Sequence, residues 1–223
     1  MRMANGYRFM AACAVILSIS GCDISFDGDD SNKVNGSVHV PVGKAPGDAR
    51  TVNGAIRIDD NATVNLAETV NGGIHLGDHA TATSLKTVNG SIALGTGAHD
   101  SGDAGSVNGD LTLADGAEIT GSLRNVNGKI SLTGAHVAGG IRTANGDISI
   151  MGASHVEGGI VVEKTSGLNF DYHDPVIIIG PGATVLGELR FERPVKLYVS
   201  DKATIGTVSG ATPVPFTGDT PPK

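Results

Sequence analysis

One tetrapeptide keeps time along this chain. Thr51-Val52-Asn53-Gly54 returns at Thr69 to Gly72 and at Thr87 to Gly90, with looser copies ending Asn35-Gly36, Asn108-Gly109, Asn127-Gly128 and Asn145-Gly146. The residue before each asparagine stands at 34, 52, 70, 88, 107, 126 and 144, so the steps are 18, 18, 18, 19, 19 and 18. A period near twenty marks stacked supersecondary units, each too small to bury an apolar face alone. After each Asn-Gly comes a short run of alternating apolar and polar residues, such as Ala55-Ile56-Arg57-Ile58 and Ser91-Ile92-Ala93-Leu94. Such alternation describes a strand with one buried face and one wet face.

A finer beat of six runs beneath, through Val52, Ile58, Val64, Val70, Leu76, Ala82, Val88 and Leu94. Three hexads make one lap of a three-sided coil. Ile119-Thr120-Gly121-Ser122-Leu123-Arg124 and Val137-Ala138-Gly139-Gly140-Ile141-Arg142 repeat a second side, while His79-Ala80, Gly97-Ala98 and Gly116-Ala117 keep a small residue on the third. Asn-Gly between alternating residues is also a hairpin signal, but a meander would carry a matching strand before each turn, and turns every 8–12 residues. The expected fold is therefore an all-β, single-stranded parallel β-solenoid over residues 34–209. It has about 18 residues per coil and roughly ten coils, a rod on the order of 45–50 Å long. Beyond Lys164–Pro175 the rhythm resumes with Ile177 expected above Val195, Ile179 above Leu197 and Val185 above Ala203.

In such a stack, like residues meet from coil to coil. Asn35, Asn53, Asn71, Asn89, Asn108, Asn127 and Asn145 are expected to form a hydrogen-bonded amide file, with each following glycine taking a positive-φ bend. The valines are expected to pile in a column. Two residues before them stand Arg50, Glu68, Lys86, Arg124 and Arg142. This reads as a solvated face of stacked charges, with a charged binding stripe of Arg50, Lys86, Arg124 and Arg142 as the rarer alternative.

The ends read differently. Arg2 and Arg8 precede an apolar run, Phe9 to Ile19, which closes on Ile19-Ser20-Gly21-Cys22. That resembles a bacterial lipobox, which implies a lipoprotein signal peptide over 1–21 and acylation of Cys22. Cys13 would leave with the signal, so no disulfide is expected within the mature chain. Residues 22–33 read as an acidic tether, and 210–223, with Pro213, Pro215, Pro221 and Pro222, as a disordered tail. Without residues 1–21 the formal charge is 14 − 23 = −9, from 16 Lys and Arg less Arg2 and Arg8 against 23 acids. That excess of acid argues against nucleic acid and against electrostatic attachment to anionic lipid. The expected location is the bacterial cell envelope, lipid-anchored and facing the periplasm, and Asp23 tilts the choice toward the inner membrane. Phe170, Tyr172, Phe191, Tyr198 and Phe216 gather near the far end, where Asn169–Asp174 is expected to cap the stack.

Candidate chemistry is sparse. His79, His99, His136 and His155 follow their coil's valine or Ala144 at unequal offsets, so no fixed register joins them. No His-x-His, His-Glu-x-x-His or cysteine pair occurs, and no metal or cofactor is expected. Asp59, Asp78, Asp100 and Asp115 fall at turns, where aspartate is common. The small, varied exterior of the strands lacks the carboxylate or arginine clusters of β-helical lyases, so no catalytic residue is expected.

Ile179-Gly180-Pro181-Gly182-Ala183-Thr184-Val185-Leu186-Gly187-Glu188-Leu189 resembles the bactofilins, a polymer-forming bacterial cytoskeletal family, and the Val-Asn-Gly-x-Ile-x-Leu copies are similar to adhesin-like envelope solenoids. The bactofilin resemblance implies a right-handed helix, end-to-end contacts and no cofactor. The export signal departs from it. The expectation is a non-enzymatic scaffold lipoprotein that self-associates through its ends. The alternative is a binding module for a glycan or an envelope protein on a flat sheet face.

Overall fold

A computed structural model describes residues 31–164 and 174–221. The chain is an all-β parallel β-solenoid of about nine turns with about 19 residues per turn, and no helix among the described residues. Each lap lays one strand on sheet I and one on sheet II, and each complete lap from the third on adds a short strand to sheet III. Sheet I holds ten parallel strands, from Ser31–Asn35 to Val208–Ser209, and sheet II ten, from Val38–Val40 to Val214–Phe216. Sheet III holds seven strands of two residues each, from Thr81–Ala82 to Thr204–Ile205. Ten strands are nine steps, and at about 4.8 Å per step the rod is about 43 Å long.

The interior is thin. In sheet II, Ile56, Ile74, Ile92 and Leu111 stack in one column and Ile58, Leu76, Leu94 and Leu113 in the next. All eight are at most 2% exposed. Each such side chain stabilises the fold by about 1.5–3 kcal/mol. Facing them from sheet I are Ala49, Ala67, Leu85, Ala104 and Leu123, also buried. Alanine and leucine on one wall and isoleucine or leucine on the other fill the narrow core.

The beat of six marks the core only in part. Val52, Val70 and Val88 do lie one above another, because the residues on either side of each are in register. They are half-buried on the outer side, however, and the residues turned inward are Thr51, Thr69 and Thr87, at 3, 1 and 5% exposure. The corner at Asn53-Gly54 resets the alternation, so in and out cannot be carried across it by counting.

Length variation falls at corners. Ile160 pairs with Leu189, so the lap between them is lengthened by the segment that follows Lys164. In the next lap Ile177 pairs with Leu197, Ile179 with Val199 and Val185 with Ile205. The expected pairing with Val195, Leu197 and Ala203 is off by two. Compared with the lap from Ile130 to Ile148, one extra residue sits in the Gly180–Ala183 corner and one in the Glu192–Lys196 corner.

Both ends extend further than composition suggests. Ser31–Asn35 already pairs with Ala49–Asn53, so strand pairing begins three residues inside the expected tether. At the other end, Val214–Phe216 pairs with Tyr198–Ser200 and Phe216 is 5% exposed. The proline-rich tail is thus ordered at its start: Pro215 is tolerated because its strand is the last in the sheet, with no further neighbour awaiting its missing N–H. Phe191 and Phe216 are buried at this end. Cys22, the signal segment, Phe26 and, save Asp174, the expected cap at 169–174 lie outside the described residues.

Candidate functional site

The recurring tetrapeptide builds the corner between sheets I and II, and each of its residues has a separate task. The asparagines form a continuous file. Asn53 Nδ2 donates to Asn35 Oδ1, Asn71 to Asn53, Asn89 to Asn71, Asn108 to Asn89, Asn127 to Asn108 and Asn145 to Asn127, all at 2.8–2.9 Å. Arg193 Nη1 closes the file, donating to Asn145 Oδ1 at 2.5 Å and to Ala144 O at 3.2 Å. Since a guanidinium can only donate, it fixes which way the Asn145 amide points and, through it, every amide below.

The threonines are the buried partners. Thr51, Thr69 and Thr87 donate through Oγ1 to the carbonyls of Gly36, Gly54 and Gly72, at 2.8–3.0 Å. Ser106 Oγ and Asn125 Nδ2 repeat the bond to Gly90 and Gly109. A polar file inside a thin core is stable because every member has an acceptor one lap below.

The glycines serve closeness more than curvature. Gly36 and Gly128 have φ of +109° and +121°, but Gly54, Gly72 and Gly90 take no positive φ. A Cβ at Gly72 would lie 1.9 Å from the Gly54 carbonyl oxygen, and one at Gly90 1.9 Å from that of Gly72. The expected positive-φ role therefore fails for the central copies. What excludes a side chain there is the backbone of the lap beneath.

The charged stripe lies on the outside of sheet I in strict register, Arg50 beside Glu68, Glu68 beside Lys86, and Arg124 beside Arg142. Gly105 separates Lys86 from Arg124. Acids meet the arginines: Arg50 contacts Asp48 at 2.6 Å and Glu68 at 3.5 Å, and Arg142 contacts Glu163 at 3.6 Å. Such exposed pairs contribute at most about 1 kcal/mol each. The stripe is broken at Gly105, with acids meeting Arg50 and Arg142 and with Arg124 and Arg142 side by side.

Sheet III carries a file that sequence counting misses. His99, Glu118, His136 and His155 occupy equivalent outward positions on four successive strands. Their offsets from the preceding corner differ only because the corner between sheets II and III varies in length. The sequence holds a better ruler: each of these residues directly follows a buried small residue, Ala98, Ala117, Ala135 or Ser154. His79 belongs to a turn instead, with φ of +55°. Beside this file, Asp100 points inward in the column that Ala82, Ile119, Val137 and Val156 fill in neighbouring laps. Burial pushes its carboxyl up to about 6, partly offset by the Gly102 N–H donated to it.

Compared with known protein families, with characterised proteins and with solved structures, the chain matches none of them.

Proposed function

We propose that the chain is a non-enzymatic structural lipoprotein of the bacterial cell envelope, a stiff spacer held to the membrane by acylation of Cys22. The observation that carries this reading is the amide file from Asn35 to Asn145, which ties seven successive laps at a single corner. Such a file has value for stiffness, since each amide fixes its neighbours above and below. The acids that meet Arg50 and Arg142, and the gap at Gly105, favour a solvated exterior over a continuous polyanion surface.

Self-association through the solenoid ends, as the bactofilin likeness implies, belongs to the same proposal. The end at Val214–Phe216 has Pro215 within its outermost strand and Pro213 just before it, which disfavour further pairing. Contact is therefore assigned to the other end, at Ser31–Asn35 and Val38–Val40, head to head.

The test is expression of the full chain in a bacterium with radiolabelled palmitate. Label and membrane fractionation are expected for the native chain and lost in Cys22→Ser. A chain that stays unlabelled and soluble with Cys22 intact overturns the anchor. Light scattering of the Cys22→Ser chain over a hundredfold concentration range is expected to show dimers, and a monomer throughout removes the end contact.

A further inference from the structure

We infer that His136, His155 and Glu157 form a binding site for a divalent transition-metal ion of the zinc, copper and nickel class, on the outer face of sheet III. The site is independent of the envelope reading.

The register creates it. His136 and His155 are paired neighbours on adjacent strands, so their side chains leave the sheet one lap apart on the same side. Glu157 stands two residues after His155, and alternation returns it to that side with Val156 buried between them. Ligand atoms of all three residues come within 4.8 Å of one another. Nε2 of His136 lies 3.0 Å from Glu157 Oε1, already close to the spacing of two donors on one zinc ion. The two imidazole rings sit with centroids 5.6 Å apart and tilted by 43°, so they are not stacked on each other. Drawing the third donor inward needs only side-chain rotation, because the site is solvent-facing and none of the three residues is fully buried.

Glu118 supplies what a lone cluster lacks. Its Oε1 lies 3.4 Å from Nδ1 of His136, on the far side of the ring from Glu157. A carboxylate behind a ligating imidazole holds the proton on Nδ1, turns the lone pair of Nε2 outward and raises its basicity. Its other oxygen is 3.3 Å from His99 Nδ1, which anchors Glu118 in turn. His136 thus lies between two carboxylates, with its Nε2 directed at an acceptor. With the proton on Nδ1, the Nε2 lone pair and Glu157 Oε1 face each other, and a cation between them satisfies both and brings His155 into the same shell. Two imidazoles and a carboxylate suit zinc, copper or nickel far better than calcium or magnesium. Glu118 is a positioning residue here and not a ligand.

The experiment is calorimetric titration of zinc chloride into the full chain in detergent, purified through a histidine-free tag. One equivalent is expected to bind. His136→Ala and His155→Ala should weaken binding at least 100-fold, and Glu118→Gln by 10–100-fold. His75→Ala, on the outside of sheet II, should leave it unchanged. Absence of saturable binding at one equivalent overturns the site, as does binding that survives both histidine variants or follows His75. Should a histidine variant fail to fold, X-ray absorption of the zinc-loaded native chain decides: two imidazoles in the shell support the site, and an all-oxygen shell overturns it.

Discussion

Arg193 and Asn145, 48 residues apart in the chain, meet through Nη1 and Oδ1 at 2.5 Å. Between them runs the long segment that breaks the repeat, and the contact joins the laps before it to those after it. Asn145 is the last asparagine of the corner file, and beyond it the inward column changes from Thr143 to Val162 and Phe191. The arginine replaces, as donor, the amide that an eighth asparagine would have offered. Arg193→Ala is expected to lower the unfolding free energy by about 1–2 kcal/mol, the range for a partly exposed charged hydrogen bond. Arg193→Lys should restore only part of it: both bonds leave from one nitrogen, Nη1, and the lysine ammonium sits one bond nearer the backbone. Urea denaturation checks both, and equal stability of Arg193→Ala and the native chain would remove the closing role.

The direction of the amide file makes its own prediction. Asn89→Ala breaks two side-chain bonds and is expected to cost about 1 kcal/mol, the file being exposed. Asn89→Asp should cost less. The carboxylate still accepts from Asn108, and if the amides of Asn71, Asn53 and Asn35 each turn over it accepts from below as well. The free end at Asn35 allows that reversal without conflict. A larger loss for aspartate than for alanine, in the same urea titration, would contradict the file's polarity.

Close stacking of the corner glycines predicts a sharp positional contrast. Gly72→Ala forces a Cβ to 1.9 Å from the Gly54 carbonyl and should cost about 3 kcal/mol or more, since backbone cannot yield as a side-chain tip can. At Gly43 a Cβ would meet nothing within 4 Å, and only its φ of +79° is unfavourable. Gly43→Ala should therefore cost about 1 kcal/mol. Thermal and chemical denaturation of the pair, with similar losses in both, would argue against contact as the cause.

Asp100 predicts a pH dependence. Its side chain is fully buried and Oδ2 meets no hydrogen-bond donor among the described residues. Burial raises its pKa from 3.8 to about 6. A carboxyl with a raised folded pKa binds its proton more tightly in the native state. Its contribution is fully present below about pH 4 and is lost as the pH rises through about 6. The loss is on the order of 2–3 kcal/mol. Asp100→Asn remains neutral throughout, so it should exceed the native chain in stability at about pH 7.5 and match it near pH 4. Denaturation midpoints for the two chains across that range give the difference directly, and a gap independent of pH would refute the titration of Asp100.

The stacked fold is legible because its signal is translational. A lap of nearly constant length leaves the same letters in the same places, and neither propensity nor tertiary context has to be weighed to see it. What cannot be read is whatever depends on where a corner begins. Thr69 and Val70 alternate as any strand pair does, and only the geometry of the corner decides that the threonine turns inward. The same blindness hides His99, Glu118, His136 and His155, since their spacing crosses a corner of variable length. Gly72 is recognisable as a turn residue, yet the atom that forbids its side chain is Gly54 O, one full lap earlier in the chain. Pro215 misleads in the opposite sense, because a proline rules out the middle of a sheet and not its last strand.

The constancy of the lap has a consequence for how such a molecule can change. A part of a lap cannot be gained without shifting every contact above it, except at a corner, whereas a whole lap can be inserted or removed between two identical floors. Size is therefore quantised: natural length variants of the rod should differ by whole laps, and the span they cover by increments of one strand spacing.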